Sequence, residues 1–272
     1  MCALASAPAQ AGLLEKLFVP KAELWERWTA HDTRGTERIN HSAWDRILRT
    51  YIHPSRDGVN LVAYARVTDA DKEALADYLA RLQAVPISQY ARAEQLAYWI
   101  NLYNAVTVKL VLDRYPVDSI RDIDISPGLF SFGPWDKKLI RVEDEALSLN
   151  DIEHRILRPI WRDPRIHYAV NCASIGCPNL QRTAFTATNT EELLDKGARE
   201  YINSGRGAWL KAGDLMVSSI YVWFQDDFGG SGRGVIAHLK QYARPKLASA
   251  LSALKRISGH RYDWSLNDAN SM

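Results

Sequence analysis

Residues 87–116, ISQYARAEQLAYWINLYNAVTVKLVLDRYP, limit what this chain can fold into more than any other stretch. The spacing predicts a helix of over twenty residues, ended at Tyr115-Pro116 because proline cannot continue it. Its apolar residues fall on every face: Leu96, Ala97, Trp99, Ile100, Leu102, Tyr103, Ala105, Val106 and Val108. A helix apolar all round has to be buried, so the rest of the chain must wrap it. With 272 residues, 47% of them apolar, there is enough chain to do so. The helix also carries Glu94, Asn101 and Asn104. Glu94 and Asn101 lie two turns apart on one stripe, with Asn104 beside Asn101. A buried carboxylate or amide needs partners. Either these side chains tie loops to the core, or they line a polar pocket.

Around that helix the pattern is mixed. AELWERW, HSAWDRILRTYI and DADKEALADYLARLQ repeat apolar residues at helical spacing. DGVNLVAYARV reads as a turn and an extended segment, and ISPGLFSFGPWDKKLIRVEDEALS as a loop feeding a hairpin. SLNDIEHRILRPIW restarts a helix with Asn150 and Glu153 at capping-box spacing. RIHYAVN alternates and reads as a strand; NTEELLDKGAREYINSGRG is a helix ending at Gly205. AWLKAGDLMVSSIYVWF reads as two strands around Gly213-Asp214, GVIAHLKQYARPKLASAL as helix, and HRYDW as a last strand. The expected class is α+β, a helical N-terminal layer on a small, mainly antiparallel sheet.

The N-terminus, MCALASAPAQAG, holds Ala9-Gln10-Ala11 before Gly12, the small-x-small pattern of a signal-peptidase site. The alternative is an Ala-rich leader with no such role. On the first reading residues 1–11 are the remainder of a signal peptide and 12–272 form a single globular domain, periplasmic or secreted. Cys2 would leave with the signal. No segment is long and apolar enough to span a bilayer. Net charge is +2 with no Lys/Arg block, which argues against nucleic acid as a partner. The nine tryptophans are scattered, which favours packing over a sugar platform.

Chemistry centres on HYAVNCASIGCPNL, residues 167–180. On a straight strand His167 and Cys172 would point to opposite faces, roughly 17 Å apart. Cys172 then faces the core. Cys177 precedes Pro178, and proline favours the first helical position, so Cys177 is expected as an exposed thiol at a helix N-terminus, where dipole and N–H groups favour the thiolate. A returning loop would bring it to His167, with backbone N–H groups around Gly176-Cys177 as oxyanion donors. Asn171 and Ser174 are candidate site-supporting or substrate-binding residues beside Asn101 and Asn104.

Several stretches, EQLAYWINLYNAVT, SLNDIEHRILR, HYAVNCASIGCPNL, YVWFQDDF and YDWSLND, resemble the bacterial and plant domain of unknown function numbered 547, in order from about residue 40 to the C-terminus. The resemblance implies a papain-like or transglutaminase-like cysteine-hydrolase fold. It also implies a Glu/His/Cys site, on Glu94, His167 and Cys177 here, and leaves Cys172 as a second candidate. Papain-like order puts cysteine before histidine; here histidine comes first, so the core would have to be permuted.

Two functional readings follow. In the first, the protein is an extracytoplasmic cysteine-nucleophile hydrolase or acyl-transferase acting on an amide or ester of a small molecule or peptide. Cys177 attacks, His167 acts as base and Glu94 orients it. In the second, Cys172 and Cys177 form a disulfide in a non-catalytic binding or scaffold domain. A zinc site from His167, Cys172, Cys177 and His154 is weaker, because the Cys-x4-Cys spacing is long and no second pair supports it. DFGGSGRG at 227–234 lacks the Lys-Ser/Thr ending of a phosphate loop and reads as a turn. No cofactor or metal is expected.

Overall fold

The computed structural model describes residues 19–127 and 133–270, so the signal-peptide reading of 1–11 lies outside the described residues. The described residues divide into two compact units, one of residues 22–200 with 263–270, the other of residues 19–21 with 201–262.

The larger unit is built on the predicted central helix. In chain order it runs through α1 (Ser42–Tyr51), the antiparallel pair β1 (Ile52–Pro54) and β2 (Asn60–Val62), α2 (Asp69–Gln83) and α3 (Arg92–Leu112). Thr68 caps α2, its hydroxyl accepting the Asp71 N–H at 3.2 Å. All of α3 from Glu94 to Val108 is buried, as an all-round apolar helix requires. Its start is held by Arg92, which donates to the carbonyls of Trp28 and Thr29. The predicted hairpin is present as β3 (Ile140–Val142) and β4 (Glu145–Leu147). Its two-residue turn, Glu143-Asp144, has φ of 43° and 67°, the left-handed pair that matches strand twist. The Glu143 carboxylate holds this turn to the Ser88 N–H at 2.7 Å.

Next come a π-helix over Asp151–Leu157, which runs on into an α-helical turn at Arg158–Trp161, and a 3-10 turn over Pro164–Tyr168. The capping box sits two residues earlier than the sequence spacing suggests: Ser148 Oγ accepts the Asp151 N–H at 3.1 Å, and Asp151 accepts the Ser148 N–H at 2.8 Å. Asn150 instead donates to Asp136. Burial raises the Asp151 carboxyl, but bonds from Lys138 and Ser148 outweigh it and leave the group below the usual carboxylate range.

The strand read from RIHYAVN is not formed, for a specific reason. Asp163 accepts the Arg165 N–H at 2.8 Å and starts the 3-10 turn with Pro164 in its first position. Beyond it, the side chain of Asn104 takes both the Ala169 carbonyl and the Asn171 N–H at 2.8 Å. The groups a ladder would need are occupied by one amide. After an irregular stretch, α4 (Thr190–Ile202) runs from this unit to the boundary.

The smaller unit holds the antiparallel pair β5 (Ala208–Lys211) and β6 (Asp214–Ser218), then α5 (Gly232–Tyr242), α6 (Pro245–Ala253) and β7 (Gly259–Arg261), which pairs parallel with β6. The hairpin turn is Ala212-Gly213, φ 51° and 87°, rather than Gly213-Asp214. Past β6 the predicted strand gives way to a helical turn, Ile220–Trp223. Pro245 breaks the predicted long helix into α5 and α6. Tyr201, Tyr221, Phe228 and His238 form a chain of ring contacts in its core. The class is α+β, and the strands among the described residues lie in three small sheets.

Candidate functional site

The cysteine loop, residues 171–178, is shaped by amides. Asn171 accepts the Ala173 N–H at 2.9 Å and donates to the Pro178 carbonyl at 2.7 Å, closing the loop on itself. Its own N–H is held by Asn104 on α3. From the other side the C-terminal segment ties the loop down. Ile175 N–H donates to the Ser265 carbonyl and Gly176 N–H to the Asp263 carbonyl, both at 2.8 Å, while Asn267 N–H donates to the Ala173 carbonyl at 3.0 Å. The same segment bridges Val62 of β2 through Asp268, which accounts for the YDWSLND stretch. Ala173 is left in the left-handed region, φ 59°, so the chain doubles back between the two cysteines.

Doubling back brings the thiols together: Cys172 and Cys177 Sγ lie 3.2 Å apart without being bridged. Cys177 Sγ accepts the Cys172 N–H at 3.0 Å as well as the Cys172 thiol. Both donors point at the sulfur that would carry a thiolate charge. Three expectations are overturned here. Burial is reversed, Cys177 being 4% exposed and Cys172 half-buried. Pro178 opens no helix, so no helix dipole acts on Cys177. The N–H groups of Gly176 and Cys177 are committed to the Asp263 and Ser174 carbonyls, so they are not free oxyanion donors. Ser174 is buried, its hydroxyl 3.2 Å from Cys172 Sγ.

The acid–base half comes from the π-helix and the 3-10 turn. Glu153 and His154 lie on the former, His167 on the latter, all three buried. His167 Nδ1 is 3.7 Å from Glu153 Oε1. His154 Nδ1 meets Arg158 Nη1 at 2.8 Å. A guanidinium only donates, so in that bond the ring nitrogen accepts. Tyr103 of α3 is buried as well. Burial first, then Glu153, Cys172 and Cys177, push it well above the ordinary phenol range. It therefore stays a protonated donor. Tyr64 is raised in the same way, by burial and then by Asp268 and the two cysteines.

The carboxylate beside His167 is thus Glu153. Glu94 faces another way, accepting the Ile39 N–H at 2.7 Å with Arg38 at 3.8 Å, and its Oε2 is buried without a hydrogen bond. Asn101 is spent on the Phe185 backbone, donating to its carbonyl at 2.7 Å and accepting its N–H at 3.0 Å. With Asn104, it ties loops to the core. Sequence reasoning missed Tyr103, which read as part of the apolar face, and Glu153, which read as a cap. The adjacent Glu153-His154 pair inside the apolar pattern Ile152, Ile156, Leu157 was the available signal. Among the described residues no three His, Cys, Asp or Glu side chains gather as a metal would require.

No curated protein and no solved structure matches the chain. A family match is found, narrower than the run of resembling stretches: YVWFQDDF and YDWSLND fall outside it. Residues 87–202, which hold α3, the π-helix and the cysteine loop, match the model of the family described as protein of unknown function, DUF547.

Proposed function

We propose that this protein is a cysteine-dependent hydrolase or acyl-transferase acting on an amide or ester, with Cys177 as nucleophile, His167 as general base and Glu153 orienting His167. The observation that carries the reading is the buried pairing of His167 with Glu153. The two groups lie 3.7 Å apart, Nδ1 to Oε1, both buried in the unit that also holds the cysteine loop. In the reaction His167 takes the Cys177 thiol proton as sulfur attacks the carbonyl carbon. It returns that proton to the leaving amine or alcohol, and water or a second acceptor then releases the acyl group from sulfur. The separation of 3.7 Å between carboxylate and imidazole is loose, as unliganded acid–base pairs commonly are. Export of the protein belongs to the same proposal.

The test is alkylation of each cysteine by iodoacetamide across pH, read by peptide mass spectrometry in wild type and His167→Ala. The reading expects the Cys177 pH–rate curve to move when His167 is removed. Curves centred on the ordinary thiol pKa of about 8.5 in both proteins would overturn it.

A second reading is favoured by the 3.2 Å between the two sulfurs: in an oxidising compartment they would close to a disulfide, leaving a non-catalytic binding domain. Thiol titration of native protein kept free of reductant separates the two. Reaction at both Cys172 and Cys177 supports the enzyme, and reaction at neither supports the disulfide.

A further inference from the structure

From Phe228 to Tyr262 the chain carries seven Lys and Arg and not one Asp or Glu. These cations are spaced through the sequence, and the fold gathers three of them. A groove of about 640 Å³ along α5 and α6 is floored by Ile236, Leu251 and Leu254 and rimmed by Arg233, Lys240 and Lys255. The three cations are exposed, and among the described residues none forms an ion pair or side-chain hydrogen bond. A surface that only needed solubility would intersperse both signs. Here one sign is kept around an apolar floor, and no residue of the groove compensates it.

A ligand for such a groove must bring both carboxylates and apolar side chains. Inorganic phosphate or a nucleic-acid backbone would meet the cations and leave the floor wet. A bilayer surface would rest on the rim without entering the recess between the helices. We propose that this groove binds an acidic amphipathic peptide segment of a partner protein. Its apolar side chains lie on Ile236, Leu251 and Leu254, and its carboxylates face Arg233, Lys240 and Lys255. The interaction does not depend on the cysteine chemistry, so either can fail without the other.

The experiment uses the full chain and a fluorescein-labelled helical peptide of leucine and glutamate, followed by anisotropy as salt is raised. A peptide with glutamine for glutamate serves as comparator, and phosphatidylcholine/phosphatidylserine vesicles are tested by co-sedimentation. The expected result is binding of the glutamate peptide that weakens with salt, as exposed charge pairs do. It should also fall by at least about tenfold in K240E/K255E. Both side chains are exposed, so the fold should survive, checked by circular dichroism; K240Q/K255Q replaces the reversal if it does not, with a smaller loss in the same direction. Equal binding of the glutamine peptide, binding indifferent to both double variants, binding to vesicles alone, or none at all would overturn the proposal.

Discussion

At the scale of single residues, the buried polar groups divide into those that hold backbone and those that face one another. Asn101, Asn104 and Asn171 spend their amides on loop carbonyls and N–H groups, as buried amides must. Glu153 and His167 face each other, 3.7 Å apart. The two carboxylates of the story should therefore separate cleanly. Glu153→Gln is expected to change the pH profile of Cys177 alkylation. Glu94→Gln should leave that profile unmoved and lower stability by about 1–3 kcal/mol, because Glu94 accepts the Ile39 N–H with a charged oxygen. Alkylation kinetics and urea unfolding on the two variants check this; the reverse pattern would return the orienting role to Glu94.

At the scale of elements, close approaches decide more than propensities do. The cysteine loop has no regular structure of its own and is held by Asn104 from α3 and by the C-terminal segment. In the smaller unit, the turn between α4 and β5 depends on Gly207. A Cβ there would stand 2.0 Å from the Tyr201 carbonyl oxygen, a backbone atom that cannot swing aside. Gly207→Ala is expected to cost about 1–3 kcal/mol, the range for forcing atoms into packed space, read as a lowered urea midpoint. Gly205→Ala is the control, since its Cβ would meet nothing within 4 Å. Equal midpoints for the two variants would show that the turn relaxes freely.

For the molecule as a whole, stability carries a pH dependence traceable to His41. Its Nδ1 shares a 2.6 Å hydrogen bond with the Tyr78 hydroxyl, and burial lowers its pKa to about 4. The folded state therefore holds the ring neutral where the unfolded chain, with an ordinary value near 6.5, would protonate it. Between those values the unfolded state binds more protons. This contribution is complete above about pH 6.5, declines as pH falls towards 4, and amounts to no more than about 3 kcal/mol. Urea unfolding at pH 7 and pH 4.5 should show wild type losing more stability than His41→Gln, which keeps an acceptor for Tyr78 without the titration. Parallel losses would assign the effect to other groups.

How much of this was legible in the sequence follows from range. The buried α3, the span of α2, the β3–β4 hairpin and the α+β class were all readable, because apolar periodicity and turn residues act over a few neighbours. The importance of HYAVNCASIGCPNL was readable too, from residue chemistry alone. What the thiols face was not. RIHYAVN alternates like a strand, yet Asn104, more than sixty residues away, takes the backbone groups a strand would pair. That long-range amide, with Asn171 and the C-terminal segment, shapes the loop in which Cys177 is buried and Cys172 lies 3.2 Å from it. The same folding selects Glu153 over Glu94 as the neighbour of His167. Apolar spacing was enough to say which segments are buried, and residue type to say which side chains could react. Their neighbours were set by folding, because a hydrogen-bonding side chain satisfies whichever distant backbone the packed core brings to it.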